Sequence, residues 1–330
     1  MRGFARAEVR RPEPASTTLN QLVAITNPVW FRSAQLPPYG VERRALFHTE
    51  RRPDGSWGIM RPLPGAAPDA ASFAGVQSAA AGMADGSVVV LGVAPDNGLW
   101  LTTVRGQSTI RPWQRVAGPD GSTGSTVREA DIAAFPDGTC QFVVTAMDGT
   151  VLHQQRRADG TLPGFRALPG LTAQSRWGAT KVSITGMPDG SAQVLAIGLD
   201  GLVYHQERRP DGSWTGFRPP RGVTTSTMGA SAIGIAGTPD GSAQVVPVGL
   251  DGRIWHNARK PDGSWTPFSR PPGPNGRDPF PAGQVRITAL RDGTTHVTAI
   301  SAGQPEPTAT RQDVGRRIRD RGGPGVVGRA

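Results

Sequence analysis

The chain has 330 residues, enough for one large all-β unit or two smaller domains. Its formal charge of +10 comes from 36 basic residues, of which all but Lys181 and Lys260 are arginine. The arginines are spread along the chain and both tails, so the charge does not indicate a specific nucleic-acid-binding surface. No apolar run approaches the roughly 18 residues that span a bilayer, so no membrane span is predicted. With Cys140 as the single cysteine, an intramolecular disulfide is excluded.

The N-terminal segment 1–20 is polar, and we expect it to be disordered. Its basic residues are not followed by an apolar run, so no signal peptide is visible. Residues 22–25 resemble a strand found later in the chain. Whether residues 18–32 add a strand or a further, degenerate repeat stays open at this point.

One ten-residue motif, typified by HQERRPDGSW at 205–214, occurs four times and once more in weak form. The copies begin at His48, Leu101 (the weak copy), His153, His205 and His256, which are 53, 52, 52 and 51 residues apart. Repeats of about this length are typical of β-propellers. A residue that recurs in this way belongs to a scaffold or to one of several equivalent binding sites, rather than to a single catalytic centre.

Each repeat contains two predicted β-hairpins. The first is clearest at 181–198, where two runs of alternating apolar residues flank Asp189-Gly190, and the second lies at 202–217 with its turn at Asp211-Gly212. Asp-Gly between such runs is a strong hairpin signal. Two consecutive hairpins give four antiparallel strands, which is one propeller blade.

The order of the hairpins predicts a five-bladed β-propeller over residues 21–300. The repeat region opens with a second-type hairpin near 46–60 and closes with a first-type hairpin at 284–300. Pairing these two would complete the fifth blade, close the ring and remove the free sheet edges. The residues from 301 to 330 are polar, basic and glycine-rich, and we expect a disordered tail. The predicted repeats lie near 46–98, 99–150, 151–201, 202–252 and 253–300.

Four of the five histidines, His48, His153, His205 and His256, hold the same position of the repeat. Strand alternation places each on the sheet face opposite to the large residue before it, such as Tyr204 or Trp255. The imidazoles are either structural groups that bond to an adjacent blade, or they face grooves between blades. Equivalent positions are spread around a ring, so convergence on a metal ion is not expected.

Three tryptophans, Trp57, Trp214 and Trp265, follow Asp-Gly-Ser in their copies of the motif. Each either packs between blades or presents a ring on which a sugar stacks, because the apolar face of a pyranose suits an aromatic plane.

The sequence gives less support to an enzymatic function. Most aspartates precede glycine in turns, and the non-repeated acids Glu129 and Asp131 form no evident catalytic pair with a third partner. Pro-Asp-Gly-Ser offers too few oxygen ligands for a calcium loop. A glycoside hydrolase with a central funnel stays a minor alternative. No cofactor is predicted, and Cys140 reads as a small buried thiol.

The pattern at 198–222 resembles propeller lectins of the tectonin and Photorhabdus-lectin type, with a five-bladed arrangement closer to tachylectin. It runs Gly198-Leu199-Asp200-Gly201, Tyr204-His205, Asp211-Gly212-Ser213-Trp214, Phe217 and Gly222, and residues 249–273 repeat it. The likeness covers roughly 46–300. It departs from the pattern at Leu101, where the histidine is lost, and at Leu162, where the tryptophan is lost.

The resemblance implies a non-enzymatic, multivalent protein that binds glycans in shallow grooves between blades. By that resemblance the candidate site residues are His48, Trp57, His153, Tyr204, His205, Trp214, Trp255, His256 and Trp265. It also implies secretion, although a cytoplasmic location is the alternative. The alternative hypothesis for the function is a propeller that binds other proteins or is purely structural. Whether the protein forms a homo-oligomer is left open.

Overall fold

The computed structural model describes residues 23–24, 29–33, 44–49, 56–65, 73–106, 108–118, 126–170, 178–220, 228–272 and 281–301. These residues form twenty strands and no helix, which confirms the predicted all-β fold. The strands make six antiparallel sheets, which we number blades 1 to 6 in chain order. No helix that could cross a membrane occurs within these ranges.

Blades 1, 2 and 3 each contain four strands in sequential order. Blade 1 comprises β1 (Val23–Ala24), β2 (Val29–Ser33), β3 (Arg44–His48) and β4 (Arg61–Pro62). Blade 2 comprises β5 (Gln77–Gly82), β6 (Val88–Val93), β7 (Leu99–Arg105) and β8 (Ser108–Arg115). Blade 3 comprises β9 (Val127–Ala134), β10 (Cys140–Ala146), β11 (Val151–Arg156) and β12 (Arg166–Ala167).

Blades 4, 5 and 6 have fewer regular strands. Blade 4 comprises β13 (Ala179–Gly186), β14 (Ala192–Gly198) and β15 (Val203–Arg208), and blade 5 comprises β16 (Ala230–Gly237), β17 (Ala243–Gly249) and β18 (Asn257–Arg259). Single bridges, His205 to Arg218 and His256 to Ser269, stand where a fourth strand would pair. Blade 6 comprises β19 (Ala282–Ala289) and β20 (Thr295–Ser301).

The Asp-Gly dipeptides form the predicted hairpin turns. At the β13–β14 turn, Gly190 has a φ of +82°, and Oδ1 of Asp189 accepts a hydrogen bond of 2.9 Å from the backbone N–H of Ser191. A positive φ penalises any residue with a Cβ, so the turn selects glycine, and the aspartate satisfies the backbone two residues later. The same chemistry recurs through the repeats.

Consecutive blades are joined through their first strands. The inner strands β9, β13, β16 and β19 contact one another in sequence, and each begins with an N–H donated to the β-turn of the preceding blade. These bonds run from Val127 to Asn97, from Ala179 to Gly149, from Ala230 to Gly201 and from Ala282 to Gly252, at 2.8–2.9 Å. A repeated backbone contact of this kind fixes the stagger between neighbouring blades.

The hydrophobic core lies between the blades. One cluster joins blades 3 and 4 and includes Val143, Ala196 and Phe217, and further clusters join each of the other consecutive blade pairs. Every residue of β14 is buried. Both faces of blade 4 are therefore covered at β14. Each fully buried Val, Leu or Phe side chain contributes about 1.5–3 kcal/mol to the free energy of unfolding.

The structure does not confirm the predicted five blades or the predicted pairing of the chain ends, because the described residues form six sheets. Strand β3 pairs with β2, from Val29 opposite His48 to Ser33 opposite Arg44, so the hairpin near 46–60 completes blade 1. Within the described residues, β20 pairs with β19 alone, which leaves the 284–300 hairpin as a sixth sheet. The sequence left open whether residues 18–32 add a strand or a degenerate repeat. In the structure β1 and β2 pair there as a first hairpin of blade 1, which lacks the Asp-Gly signal. Ring closure stays a prediction. The predicted disordered segments 1–20 and 301–330 lie outside the described residues, except for Ser301, which ends β20.

Candidate functional site

Three of the repeated histidines bond to a glutamine within their own blade. The imidazole Nε2 lies 2.7 Å from Gln Oε1 for His153 and Gln141, 2.7 Å for His205 and Gln193, and 2.8 Å for His256 and Gln244. His153 pairs in register with Val143, so Gln141, two residues before it, is a diagonal neighbour on the same sheet face. The bond partner is thus inside the blade, whereas the sequence had suggested an adjacent blade.

In two places a tryptophan of the next blade completes the group. The ring centroids of His153 and Trp214 are 4.9 Å apart at an interplanar angle of 69°, and those of His205 and Trp265 are 4.9 Å apart at 77°. Edge-to-face geometry at this separation is favourable. We call each set a Gln–His–Trp trio. One lies between blades 3 and 4 and the other between blades 4 and 5, and we refer to each of these positions between adjacent blades as a groove.

The imidazoles of both trios are neutral at physiological pH. Burial lowers the pKa of His205 to about 3, with a smaller contribution from Arg259. Burial also lowers the pKa of His153 to about 4, helped by Arg208 and Arg166. Bonding to a carboxamide oxygen requires that Nε2 carry the proton, which leaves Nδ1 as a hydrogen-bond acceptor.

The two grooves differ in their ion pairs. Between blades 4 and 5, Nη2 of Arg259 lies 2.7 Å from Oε2 of Glu207. The residues at the same repeat positions in the groove between blades 3 and 4 are Arg208 and Gln155, so a neutral carboxamide stands here in place of the Glu207 carboxylate. Trp214 and Trp265, which flank the two arginines, are each partly exposed.

The weak repeat replaces the whole trio with apolar side chains. Val89 stands in place of the glutamine, Leu101 in place of the histidine and Leu162, from blade 3, in place of the tryptophan. All three belong to the core cluster between blades 2 and 3. The three apolar side chains, from two blades, thus pack in one cluster at the positions that the trio holds in the other copies.

The remaining candidates lie in other surroundings. Tyr204 is buried on the blade-3 side of its sheet, and its hydroxyl donates a 2.6 Å bond to Asp200, so it is part of the core.

Trp255 contacts the guanidinium of Arg270, 4.5 Å from the ring centroid. His48 is buried, and burial lowers its pKa, whereas Trp57 is 41% exposed. His256 has a half-buried ring and a lowered pKa, also caused by burial.

The non-repeated acids connect blade 3 to blade 4. Oε2 of Glu129 lies 2.9 Å from Nζ of Lys181, and Asp131 accepts 2.9 Å bonds from the Ser183 hydroxyl and the Ile184 N–H. Burial raises the pKa of Asp131 despite these donors.

Within the described part of the chain, no group of three or more His, Cys, Asp or Glu residues could hold a metal ion. Burial also raises the pKa of Cys140 to about 12, so its thiol is protonated and unreactive.

Sequence reasoning missed the three glutamines and the Arg259–Glu207 pair. Gln141, Gln193 and Gln244 each stand twelve residues before a repeated histidine, and the weak copy has Val89 there. That spacing was available as a signal, but only the hairpin register shows that the two positions meet.

Comparison with known proteins gives a structural likeness. No protein-family model matches the sequence, and no curated protein matches it. The BP39L lectin from Burkholderia pseudomallei is 16% identical with a TM-score of 0.54, over 86% of this chain and 77% of that one. A triple arginine-to-alanine mutant of AofleA from Arthrobotrys oligospora is 12% identical with a TM-score of 0.54, over 83% of this chain and 76% of that one.

A third structure, the lectin of Aleuria aurantia, is described as a six-bladed β-propeller with a novel mode of fucose recognition. It is 12% identical with a TM-score of 0.48, over 80% of this chain and 93% of that one. At identities this low, the likeness to BP39L and AofleA establishes a shared fold. The chain therefore shares its fold with these two proteins.

Proposed function

We propose that this protein is a non-enzymatic, carbohydrate-binding β-propeller whose sites are the grooves between blades 3 and 4 and between blades 4 and 5. The observation that carries the proposal is the Gln–His–Trp trio, which is repeated in both grooves. A partly exposed tryptophan offers an apolar plane to a pyranose ring. The neutral imidazole beside it offers Nδ1 as an acceptor for a sugar hydroxyl, and the neighbouring arginine is a donor.

The surroundings of the trios support a shallow site. The histidine is fixed by its glutamine and the tryptophan is held by a backbone bridge, Trp214 to Arg208 and Trp265 to Arg259. Such groups are pre-organised, which lowers the entropic cost of binding. The third glutamine–histidine pair, Gln244 with His256, faces blade 6, where the described residues provide no tryptophan. We therefore assign the two complete trios as the sites and His256 as an incomplete one.

A ring that displays several weak sites would bind a glycan-coated surface by avidity. The fold shared with the BP39L lectin and the resemblance of the repeat to tectonin and Photorhabdus-type lectins both support this reading. The glycoside hydrolase alternative loses support because Glu129 and Asp131 both bond to blade 4 and so have structural partners.

The proposal is tested by a glycan-array screen of the full chain at low and at moderate salt. Binding to a coherent family of sugars at both salt concentrations is the expected result. Absence of binding to any glycan would contradict the proposal and favour a protein-interaction propeller. Binding to every polyanion, lost with salt, would instead assign the signal to the net charge of +10.

A further inference from the structure

The groove between blades 3 and 4 contains an arginine that lacks the partner present in the next groove. Arg259 of blade 5 reaches Glu207 of blade 4, and both side chains are largely buried, 13% and 23% exposed. Gln155 is the counterpart of Glu207: each stands two residues after its histidine and pairs in register with the trio glutamine, Gln141 or Gln193. Arg208, the counterpart of Arg259, therefore faces a neutral carboxamide position across its groove.

The immediate neighbours of Arg208 do not replace that carboxylate. Its Nη1 donates a 3.4 Å bond to the Arg209 carbonyl, and within the described part of the chain it forms no ion pair. Two turn aspartates, Asp137 and Asp211, act on it from a distance and raise its pKa, but burial has the larger, opposite effect. Each aspartate accepts bonds within its own turn, from Thr139 and from Ser213. A partly buried guanidinium without an ion-pair partner favours an external anion.

Other features of the same groove suit a sugar that carries a carboxylate. The charges of Arg208 and of the exposed Arg166 both lower the pKa of His153. Two guanidiniums therefore lie near the imidazole that contacts Trp214. The groove thus combines cationic donors with an aromatic plane. The preceding groove lacks this combination because Arg156, the equivalent arginine of blade 3, is only 6% exposed and Leu162 replaces the tryptophan.

We propose that the groove between blades 3 and 4 binds an acidic sugar, a hexuronate or sialic acid type of residue. Arg208 pairs with the sugar carboxylate, Arg166 adds to the positive potential, and Trp214 carries the pyranose ring. The groove between blades 4 and 5 takes uncharged sugars, because Glu207 already occupies Arg259. This assignment rests on the proposed carbohydrate-binding function and specifies the ligand class of one of its two sites.

Two exchanges between the grooves test the assignment. Gln155→Glu gives Arg208 a carboxylate within the protein, like the one that Arg259 has in Glu207. Glu207→Gln removes that carboxylate and leaves Arg259 without an ion-pair partner, as Arg208 is in the wild type. Isothermal titration would use three acidic probes, methyl β-D-glucuronide, methyl α-D-galacturonide and N-acetylneuraminic acid, with methyl β-D-glucoside and methyl α-D-galactoside as the matched neutral sugars. Arg208→Gln is a further variant that removes the cation itself, and melting curves verify that each variant is folded.

We expect at least one acidic probe to bind one site per chain, and to bind about tenfold more weakly to Gln155→Glu and to Arg208→Gln. Glu207→Gln should add a second acidic site. Neutral-sugar binding should be unchanged in Gln155→Glu. The assignment is overturned if no acidic probe binds the wild type, or if Gln155→Glu and Arg208→Gln leave the acidic affinity unaltered. Retained neutral binding in either case would leave the proposed function standing, whereas a blank glycan array would remove both.

Discussion

The rings of Trp265 in blade 5 and His205 in blade 4 lie 4.9 Å apart between centroids at an interplanar angle of 77°, and His205 also bonds to Gln193. The contact crosses from one blade to the next, so it serves packing and shapes a groove at the same time. Trp214 repeats the contact on His153. A residue placed in this way cannot be classed as either core or binding site from the sequence alone, and stability and binding have to be measured separately.

The contact between His205 and Trp265 should be energetically coupled. In a double-mutant cycle of His205→Ala and Trp265→Ala, we expect a coupling free energy of about 0.5–1.5 kcal/mol, the range measured for aromatic pairs. Urea unfolding of the wild type, both single variants and the double variant gives this number. Strictly additive effects of the two substitutions would show that the rings do not stabilise each other.

Stability should fall in mild acid because the histidines are buried in the neutral form. The folded pKa of His205, about 3, and of His153, about 4, lie below the ordinary value of 6.5. Between pH 6.5 and the folded pKa of each histidine, the unfolded chain binds more protons than the folded chain. The stabilisation from the neutral histidines is therefore complete above about pH 6.5, and the free energy of unfolding decreases as the pH falls below that value. Each histidine contributes up to about 1.4 kcal/mol per pH unit.

The measurement is urea unfolding near pH 7 and near pH 4.5, repeated on His205→Gln and on the double variant with His153→Gln. Both variants should lose part of the pH dependence, the double variant more than the single one. An identical pH slope in all three proteins would mean that other groups govern acid sensitivity.

Asp131 should hold blade 3 to blade 4. It accepts bonds from the Ser183 hydroxyl and the Ile184 N–H, so Asp131→Ala leaves a backbone donor unsatisfied at a cost of about 1–3 kcal/mol. Hydrogen exchange at the Ile184 amide should accelerate in this variant. Ser183→Ala is the control, because it removes one donor and leaves the Ile184 bond intact. Unchanged protection of Ile184 in Asp131→Ala would contradict this role.

The turn at Gly190 isolates the conformational cost of a side chain. A Cβ added there meets no atom within 4 Å, yet its φ is +82°. Gly190→Ala should lower the free energy of unfolding by about 1–2 kcal/mol through backbone strain alone, and Gly190→Asn should cost less because asparagine tolerates this conformation. Chemical denaturation compares the two variants, and equal stability of Gly190→Ala and the wild type would refute the explanation.

Local features of the fold were predictable from the sequence, and pairings between distant residues were not. Asp189-Gly190 and its repeats predicted the hairpins correctly because a turn depends on adjacent residues. Blade 1 was left open from the sequence because β2 carries no such turn signal, and its pairing with β3 shows only in the structure. Arg259 and Glu207 are 52 residues apart, and nothing local to either residue predicts that they meet across a groove.

The site shows the same division. The shared position of His153 and His205 was visible in the repeat, and so was the recurrence of Trp214 and Trp265. The sequence did not show that the tryptophan of one blade meets the histidine of the preceding one, because that depends on how blades pack. Tyr204 was a reasonable candidate by proximity to His205, but strand alternation directs it into the core.

The proposed sugar sites lie where a histidine of one blade meets a tryptophan of the next. The most direct test is two titrations of the full chain, one with an acidic and one with a neutral sugar identified on the array, comparing the wild type, Trp214→Ala, Trp265→Ala, the double variant and Leu162→Ala. We expect Trp214→Ala to lose binding of the acidic sugar and Trp265→Ala to lose binding of the neutral sugar, with both variants still folded. The double variant should lose both, and Leu162→Ala should bind normally because its groove carries the apolar trio. Full binding by the folded double variant would contradict the claim.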